Sequence, residues 1–454
     1  MGDSVTGASS VNDSVTNNAT KIVFTMQEQV TAYGSLYGLA LFCIVLGSLR
    51  SLTLVEKLVR KKKLIESSIT MKEAKKFPIT ASCVLFGLYI FFRCDVECRQ
   101  KVVLFISHYL PSKVTDKLSI ILNLSNATEP IPEVIETPEG IFSFIHKAKS
   151  FLPEFSKANV MYLLLFLLCW EGCVALATLL KPLFSFILRL LPIGDRQPRK
   201  NIPYFWSLKK GKKEMEEGDI EDASKEDTEY LAKIEWDTHD IVAIAVCLSV
   251  GVSHLCQRHW ITNNLLGVAF CIYGIENLHL GSFKAGVMLL VGLFIYDVFW
   301  VFATDVMTTV AKGIDAPILL QFPQDLYRNG WKNANKYAML GLGDIVIPGI
   351  FIALLRRFDY HVGATKKSAG NRYYFLITIV AYALGLFITM GVMHYFKAAQ
   401  PALLYLVPAC VLIPLLCAKV SGEAEEMWNY SEEHLIEKTE DEKKAEKDKK
   451  KKLN

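Results

Sequence analysis

A chain of 454 residues could hold two or three soluble domains, but 52% hydrophobic and 11% aromatic residues with a mean hydropathy of +0.27 exclude that reading and indicate a polytopic membrane protein. The net charge of +4 is small, and the basic residues sit in short clusters between apolar runs, which excludes the continuous basic face of a nucleic-acid binder. The eleven cysteines, most of them within or beside apolar runs, read as small hydrophobes and define no disulfide framework.

Residues 1–29 are rich in Ser, Thr and Asn and lack the basic start and apolar stretch of a cleavable signal, so they read as a polar tail. Sequons at Asn12 and Asn18 place this tail on a lumenal face if they carry glycans. A first span, Tyr33 to Leu49, is followed by Arg50, Lys57 and the basic run from Arg60 to Lys63, a cytosolic label. Phe77 to Phe92 is a second span. The loop 93–157 then falls on the lumenal side, with sequons at Asn123 and Asn126 and apolar stretches too short to cross. Val160 to Leu180 is a third span and completes a membrane block over residues 30–192. Residues 193–238 begin basic, turn acidic from Glu214 to Asp237, and read as a solvated cytosolic linker.

A second block, residues 239–420, holds six spans: Ile241 to Cys256, Ile261 to Leu280, Ala285 to Ala303, Tyr337 to Leu355, Tyr373 to Phe396 and Pro401 to Val420. The fold class expected is therefore an all-α polytopic membrane protein of about nine transmembrane helices. An odd number of spans puts a lumenal N-terminus and a cytosolic C-terminus on opposite sides, and Arg356, Arg357, Lys366 and Lys367 fall on the cytosolic side of the same scheme. The tail 421–454 alternates Glu and Lys and reads as disordered. Its Lys451 and Lys452 resemble the dilysine retrieval address of endoplasmic reticulum membrane proteins.

Two aspartates stand out because each lies in apolar sequence: Asp297 in Tyr-Asp-Val-Phe-Trp and Asp344 in Gly-Leu-Gly-Asp-Ile-Val. A charge at bilayer depth costs a few kcal/mol or more, so an intramembrane carboxylate marks a functional site whose partner is another inward polar group. Counted from the loop joining their spans at ~1.5 Å per residue, the two lie at about 9 and about 10.5 Å, level with each other in the lumenal half. Gly341 and Gly343 would let the two helices approach. Pro348 would open the helix near its carboxylate. Two carboxyl groups so placed share a proton and can activate water for attack on an amide, with no metal or cofactor. Structural burial of both aspartates is the plainer alternative. Proton relay in a transporter or channel is the functional rival, though no inverted repeat is visible. Glu171, His254, Asn263, Asn264, Glu276, His279 and His394 lie mostly near span ends and read as structural. Tyr296 either donates to the pair or packs.

Three motifs in order, Tyr296-Asp297, Gly341-Leu342-Gly343-Asp344 and Gln400-Pro401-Ala402-Leu403, resemble the signal peptide peptidase family of GxGD-type intramembrane aspartyl proteases, whose wider relatives are the presenilins. The resemblance covers most of residues 30–430 and extends to Gln321-Phe-Pro-Gln-Asp325. It implies a presenilin-like helical fold, catalytic Asp297 and Asp344, and an active site shaped by Pro401, Ala402 and Leu403. It also implies an endoplasmic reticulum enzyme acting on transmembrane peptide substrates, namely leftover signal peptides and type II segments. The loop 93–157 is larger than the family leads one to expect. Oligomeric state stays open, with a homo-oligomer compatible with the sequence.

Overall fold

Apolar runs separated by charged breaks fold into nine α-helices of 18 residues or more among the residues described by the computed structural model, which are 24–62, 64–65, 68–93, 157–190, 200–210, 229–302, 318–366, 373–396 and 400–435. The four candidate glycosylation sites, nearly all of the loop 93–157, and Lys451 with Lys452 lie outside the described residues. In chain order the first elements are α1 (Met26–Arg60), β1 (Ser68–Ile69), α2 (Met71–Arg93), α3 (Lys157–Leu190), β2 (Pro203–Lys210) and β3 (Glu229–Asp237). Then come α4 (Thr238–Gln257), α5 (Trp260–Asn277), β4 (His279–Leu280), α6 (Phe283–Phe302), β5 (Leu319–Pro323), α7 (Leu326–Asn329) and β6 (Tyr337–Gly341). The chain continues through α8 (Gly343–Lys366), α9 (Tyr374–Phe396), α10 (Leu403–Val420) and α11 (Ala424–Trp428).

Six of the long helices, α1, α3 from Met161, α4, α6, α9 and α10, are long and apolar enough to cross a membrane. The other three are α2, which opens on Lys72, Glu73, Lys75 and Lys76, α5, which carries Asn263, Asn264 and Glu276, and α8, which carries Asp344, Arg356, Arg357 and Asp359. Helix α1 starts on a capping box: Thr25 Oγ1 accepts the Glu28 N–H, and Glu28 Oε2 accepts the Thr25 N–H at 2.8 Å. It runs 35 residues, well beyond the apolar stretch from Tyr33 to Leu49.

In lipid, helices gain little from burying apolar surface against one another, so close packing and polar cross-links hold the bundle together. Gly286 on α6 supplies the first kind. A Cβ there would lie 2.7 Å from the Phe351 ring of α8, so only glycine lets these two helices press together at that level. Polar links tie the ends. Arg50 of α1 pairs with Glu276 of α5 at 2.6 Å. Arg357 of α8, 2% exposed, bonds Glu432 through Nε at 3.0 Å and Ser51 through Nη1 at 2.9 Å.

Three features depart from the sequence expectation. Strands β2 and β3 form an antiparallel hairpin at the two ends of the charged stretch, where a solvated linker was expected. The chain after α10 is ordered as far as Leu435, with α11 and the buried Glu432 packed back on the bundle, although its composition reads as disordered. The third matters most for function. Residues 337–341 are strand β6, paired antiparallel with β5, and not the start of a transmembrane helix. Gly341 and Gly343 would each cost a helix about 1 kcal/mol, whereas β5 offers backbone partners to alternate residues of this segment. Helix α8 begins only at Gly343.

Candidate active site

Asp297 lies on the last turns of α6 and is 5% exposed. Its Oδ2 accepts the backbone N–H of Leu403 at 3.1 Å. That amide is free because Leu403 is the first residue of α10, and the first amides of a helix have no partner within it. The segment ahead of it is held in place by its own turn: the Pro401 carbonyl takes the Leu404 N–H, and the Ala402 carbonyl takes those of Tyr405 and Leu406, each at 3.2 Å. Pro401 therefore precedes the helix by two residues and does not open it. Gln400 leads into the same turn.

Asp344 is the second residue of α8, so its carboxyl sits at a helix N-terminus, where free amides favour negative charge. The charge of Asp297 is close enough to act on it. The equal depths expected from helical rise do not describe this arrangement, because the residues before Gly343 are strand and turn. The β5–β6 hairpin returns the chain from α6 to the start of α8, which packs on α6 and so brings Asp344 within electrostatic range of Asp297.

The two glycines ahead of Asp344 have different roles. A Cβ on Gly341 would stand 3.1 Å from Asp344 Oδ2, so the end of β6 passes directly over the carboxyl. Around Gly343 the nearest outside atom, Ile347 Cδ1, is 4.0 Å away, so nothing there requires a glycine. Neither spaces α6 from α8; Gly286 does that. Tyr296 makes no hydrogen bond to either carboxyl among the described residues. Its ring packs on Trp300 with centroids 6.4 Å apart and closes an apolar groove of about 440 Å³ between α2 and α6.

Strand β5 of the hairpin is anchored by two amides of α5. Asn264 of α5 donates to the Gln321 carbonyl at 2.6 Å and accepts the Gln321 N–H at 2.8 Å, the two bonds a neighbouring strand would make. Asn263 donates to the Leu319 carbonyl at 2.7 Å. Backbone groups alternate sides along a strand, so Leu319 and Gln321 face α5 while Leu320 and Phe322 face β6. Across the register, Tyr337, Met339 and Gly341 then turn their N–H and C=O groups to the outer edge of β6. That edge ends three residues before Asp344.

The loop beyond β5 is fixed by Asp325, which accepts the Asn335 N–H at 2.9 Å and the Asn329 side-chain amide at 2.8 Å. Burial pushes the Asp325 carboxyl up, but these donors and the Lys336 N–H outweigh it and hold it below the usual carboxylate range. Arg328 in the same loop grips Glu28 of α1 at 2.7 and 2.8 Å. The adjacent amides of Asn263 and Asn264 were visible in the sequence as oddities in an apolar run; their partner strand was not.

A bundle of apolar helices that carries two carboxyl groups within electrostatic range of each other defines a multi-pass membrane protein with an acidic site. A model of the family described as signal peptide peptidase matches residues 61–434, and the chain belongs to that family of intramembrane proteases. It is 54% identical over 451 residues to "Intramembrane protease 2" of Caenorhabditis elegans, covering 94% of this chain and 96% of the relative. It is 38% identical over 422 residues to "Signal peptide peptidase" of Homo sapiens, covering 92% and 88%, and 37% identical over 416 residues to that of Mus musculus, covering 92% and 87%. No solved structure matches.

Proposed function

We propose that the chain hydrolyses peptide bonds within transmembrane helices by aspartyl chemistry, with Asp297 and Asp344 as the catalytic pair. The observation that carries this reading is two carboxyl groups inside the bundle, within electrostatic range of each other and each placed at the free amides of a helix N-terminus. One proton shared between them leaves one carboxylate and one acid. The carboxylate takes a proton from water as the oxygen attacks the scissile carbonyl, and the acid donates to the carbonyl oxygen. The resulting tetrahedral diol then collapses with a proton returned to the leaving amine. The near-symmetric placement leaves the first roles interchangeable.

A substrate helix in lipid has its amides bonded within itself, so a turn must unwind before its carbonyl can be attacked. Unwinding leaves unpaired backbone groups, and the outer edge of β6 at Tyr337, Met339 and Gly341 can accept them next to Asp344. Leu403 holds Asp297, while Gly341 leaves room for the Asp344 carboxyl. Gln400, Pro401 and Ala402 support that arrangement through the turn before α10. The substrates in this reading are signal peptides and type II segments of the endoplasmic reticulum membrane. Nine spans, a lumenal N-terminus and a cytosolic C-terminus complete it. Glycans on Asn12 or Asn18 and on Asn123 or Asn126, with none on Asn429, would report this orientation.

The test is release of a labelled fragment from a signal-peptide helix by purified protein in detergent. Asp297→Asn or Asp344→Asn alone should abolish cleavage, because Asn is nearly isosteric but cannot move the proton. The double variant should be no worse than either single, since residues acting as one unit are not additive. Substantial cleavage by either single variant would end the dyad reading.

A further inference from the structure

Pro348 stands four residues after Asp344 on α8. In an uninterrupted helix the Asp344 carbonyl would accept the N–H of residue 348, and proline has none. The carbonyl of a proposed catalytic residue is therefore without its helical partner in a partly buried place, where an unpaired polar group is costly. Tyr382 of α9 supplies the missing donor: its Oη donates to the Asp344 carbonyl at 3.1 Å, and its side chain is 0% exposed. A tyrosine in the middle of an otherwise apolar helix thus spends its hydroxyl on the backbone of Asp344.

The same face of α9 also reaches the mount of the other aspartate. Gly385, one turn after Tyr382, lies so close to α10 that a Cβ there would be 3.3 Å from the Leu406 Cα and 3.4 Å from the Tyr405 carbonyl oxygen. Helix α10 in turn presents the Leu403 amide to Asp297. On the opposite flank Tyr37 of α1 donates to the Leu386 carbonyl at 3.1 Å, so α9 is held from both sides. One helix therefore bears on the backbone of Asp344 and on the helix whose first amide holds Asp297.

We propose that Tyr382 is a positioning residue of the active site, which replaces the helix bond lost at Pro348 and so holds the Asp344 carboxyl opposite Asp297. This rests on the dyad reading given above. Tyr382, fully buried, acts through the Asp344 backbone.

The experiment compares parent, Tyr382→Phe, Pro348→Ala and the double variant in the signal-peptide cleavage assay, with kcat, KM, the pH profile and thermal unfolding measured for each. Phenylalanine keeps the ring and removes only the hydroxyl, so kcat should fall on the order of tenfold or more with KM within about twofold. The acid limb of the kcat profile should move as well, because the two carboxyl groups no longer keep their spacing. Alanine at 348 restores an amide to the Asp344 carbonyl, so Tyr382→Phe should cost much less in the Pro348→Ala background than in the parent. A residue that only packs the core would lower the unfolding temperature and leave kcat and the pH profile alone. Parental kcat and pH profile in Tyr382→Phe overturn the proposal, as does an equal loss of kcat in both backgrounds. If Tyr382→Phe does not fold, recovery of fold and kcat in the double variant supports the proposal, and a double variant equally inactive overturns it. Asp297→Asn, run alongside, separates the two readings: its loss of cleavage with an unaffected Tyr382→Phe removes this proposal and keeps the dyad.

Discussion

Asn264→Leu is the sharpest probe of how the bundle holds the hairpin against its two aspartates. Leucine keeps the branched shape and heavy-atom count of asparagine but none of its polar atoms, so the substitution deletes the bonds of 2.6 and 2.8 Å to Gln321 and leaves both backbone groups of that residue unpaired. An unsatisfied, largely buried group costs about 1–3 kcal/mol, and two of them, partly relieved by water, give about 2–4 kcal/mol. That cost falls on the hairpin, since α5 itself loses no helix bond. If opening of the hairpin limits exchange, the amides of Leu320, Phe322, Ala338 and Leu340 should exchange roughly thirtyfold to a thousandfold faster by hydrogen–deuterium exchange. Signal-peptide cleavage should fall with it, because β6 leads directly into Asp344. Asn264→Asp keeps an acceptor for the Gln321 N–H but sets a carboxylate against the Gln321 carbonyl, so it should behave like the leucine variant. Parental exchange at these amides together with unchanged kcat/KM would refute the anchoring role of α5.

Glu432→Ala leaves the Arg357 guanidinium buried without its carboxylate, and breaking such a pair costs about 3–5 kcal/mol. The unfolding midpoint in detergent should drop accordingly, and an unchanged midpoint would mean that the segment after α10 does not stabilise the bundle. Asp325 makes stability depend on pH. Its folded carboxyl is held below its unfolded value, so its contribution is complete above the unfolded value and is lost as pH falls through the folded one. Order in the loop 324–336 should therefore weaken below about pH 4, and Asp325→Asn should flatten that dependence when loop exchange is followed across pH.

The helices and the two aspartates were legible in the sequence because both signals are local. A long apolar run needs no partner to be recognised, and a carboxylate inside one is conspicuous wherever its helix packs. The ordered motifs around Asp297, Asp344 and Pro401 added the family. Local signals also misled where a run was short. Tyr337 to Gly341 is apolar enough to extend a helix, and its assignment to β6 depends on β5 on the far side of the loop and on the two amides of α5 that hold β5. Depth counted along a single helix failed for the same reason. Composition likewise hid the order of residues 421–435, since one glutamate among many is buried only because Arg357 faces it.

What tertiary structure decided was which polar group meets which. The Leu403 amide is free in any helix that starts there, but only the packing of α10 beside α6 aims it at Asp297. Pro348 announces in the sequence that the Asp344 carbonyl lacks its helix partner, yet Tyr382 is one of several tyrosines near or within α9, and nothing in its neighbours marks it as the donor. The physical reason is range. Hydrogen bonds and close contacts act over about 3–4 Å, while the residues that make them here lie tens to hundreds of positions apart, so their meeting is a property of the packed helices and not of any stretch of chain.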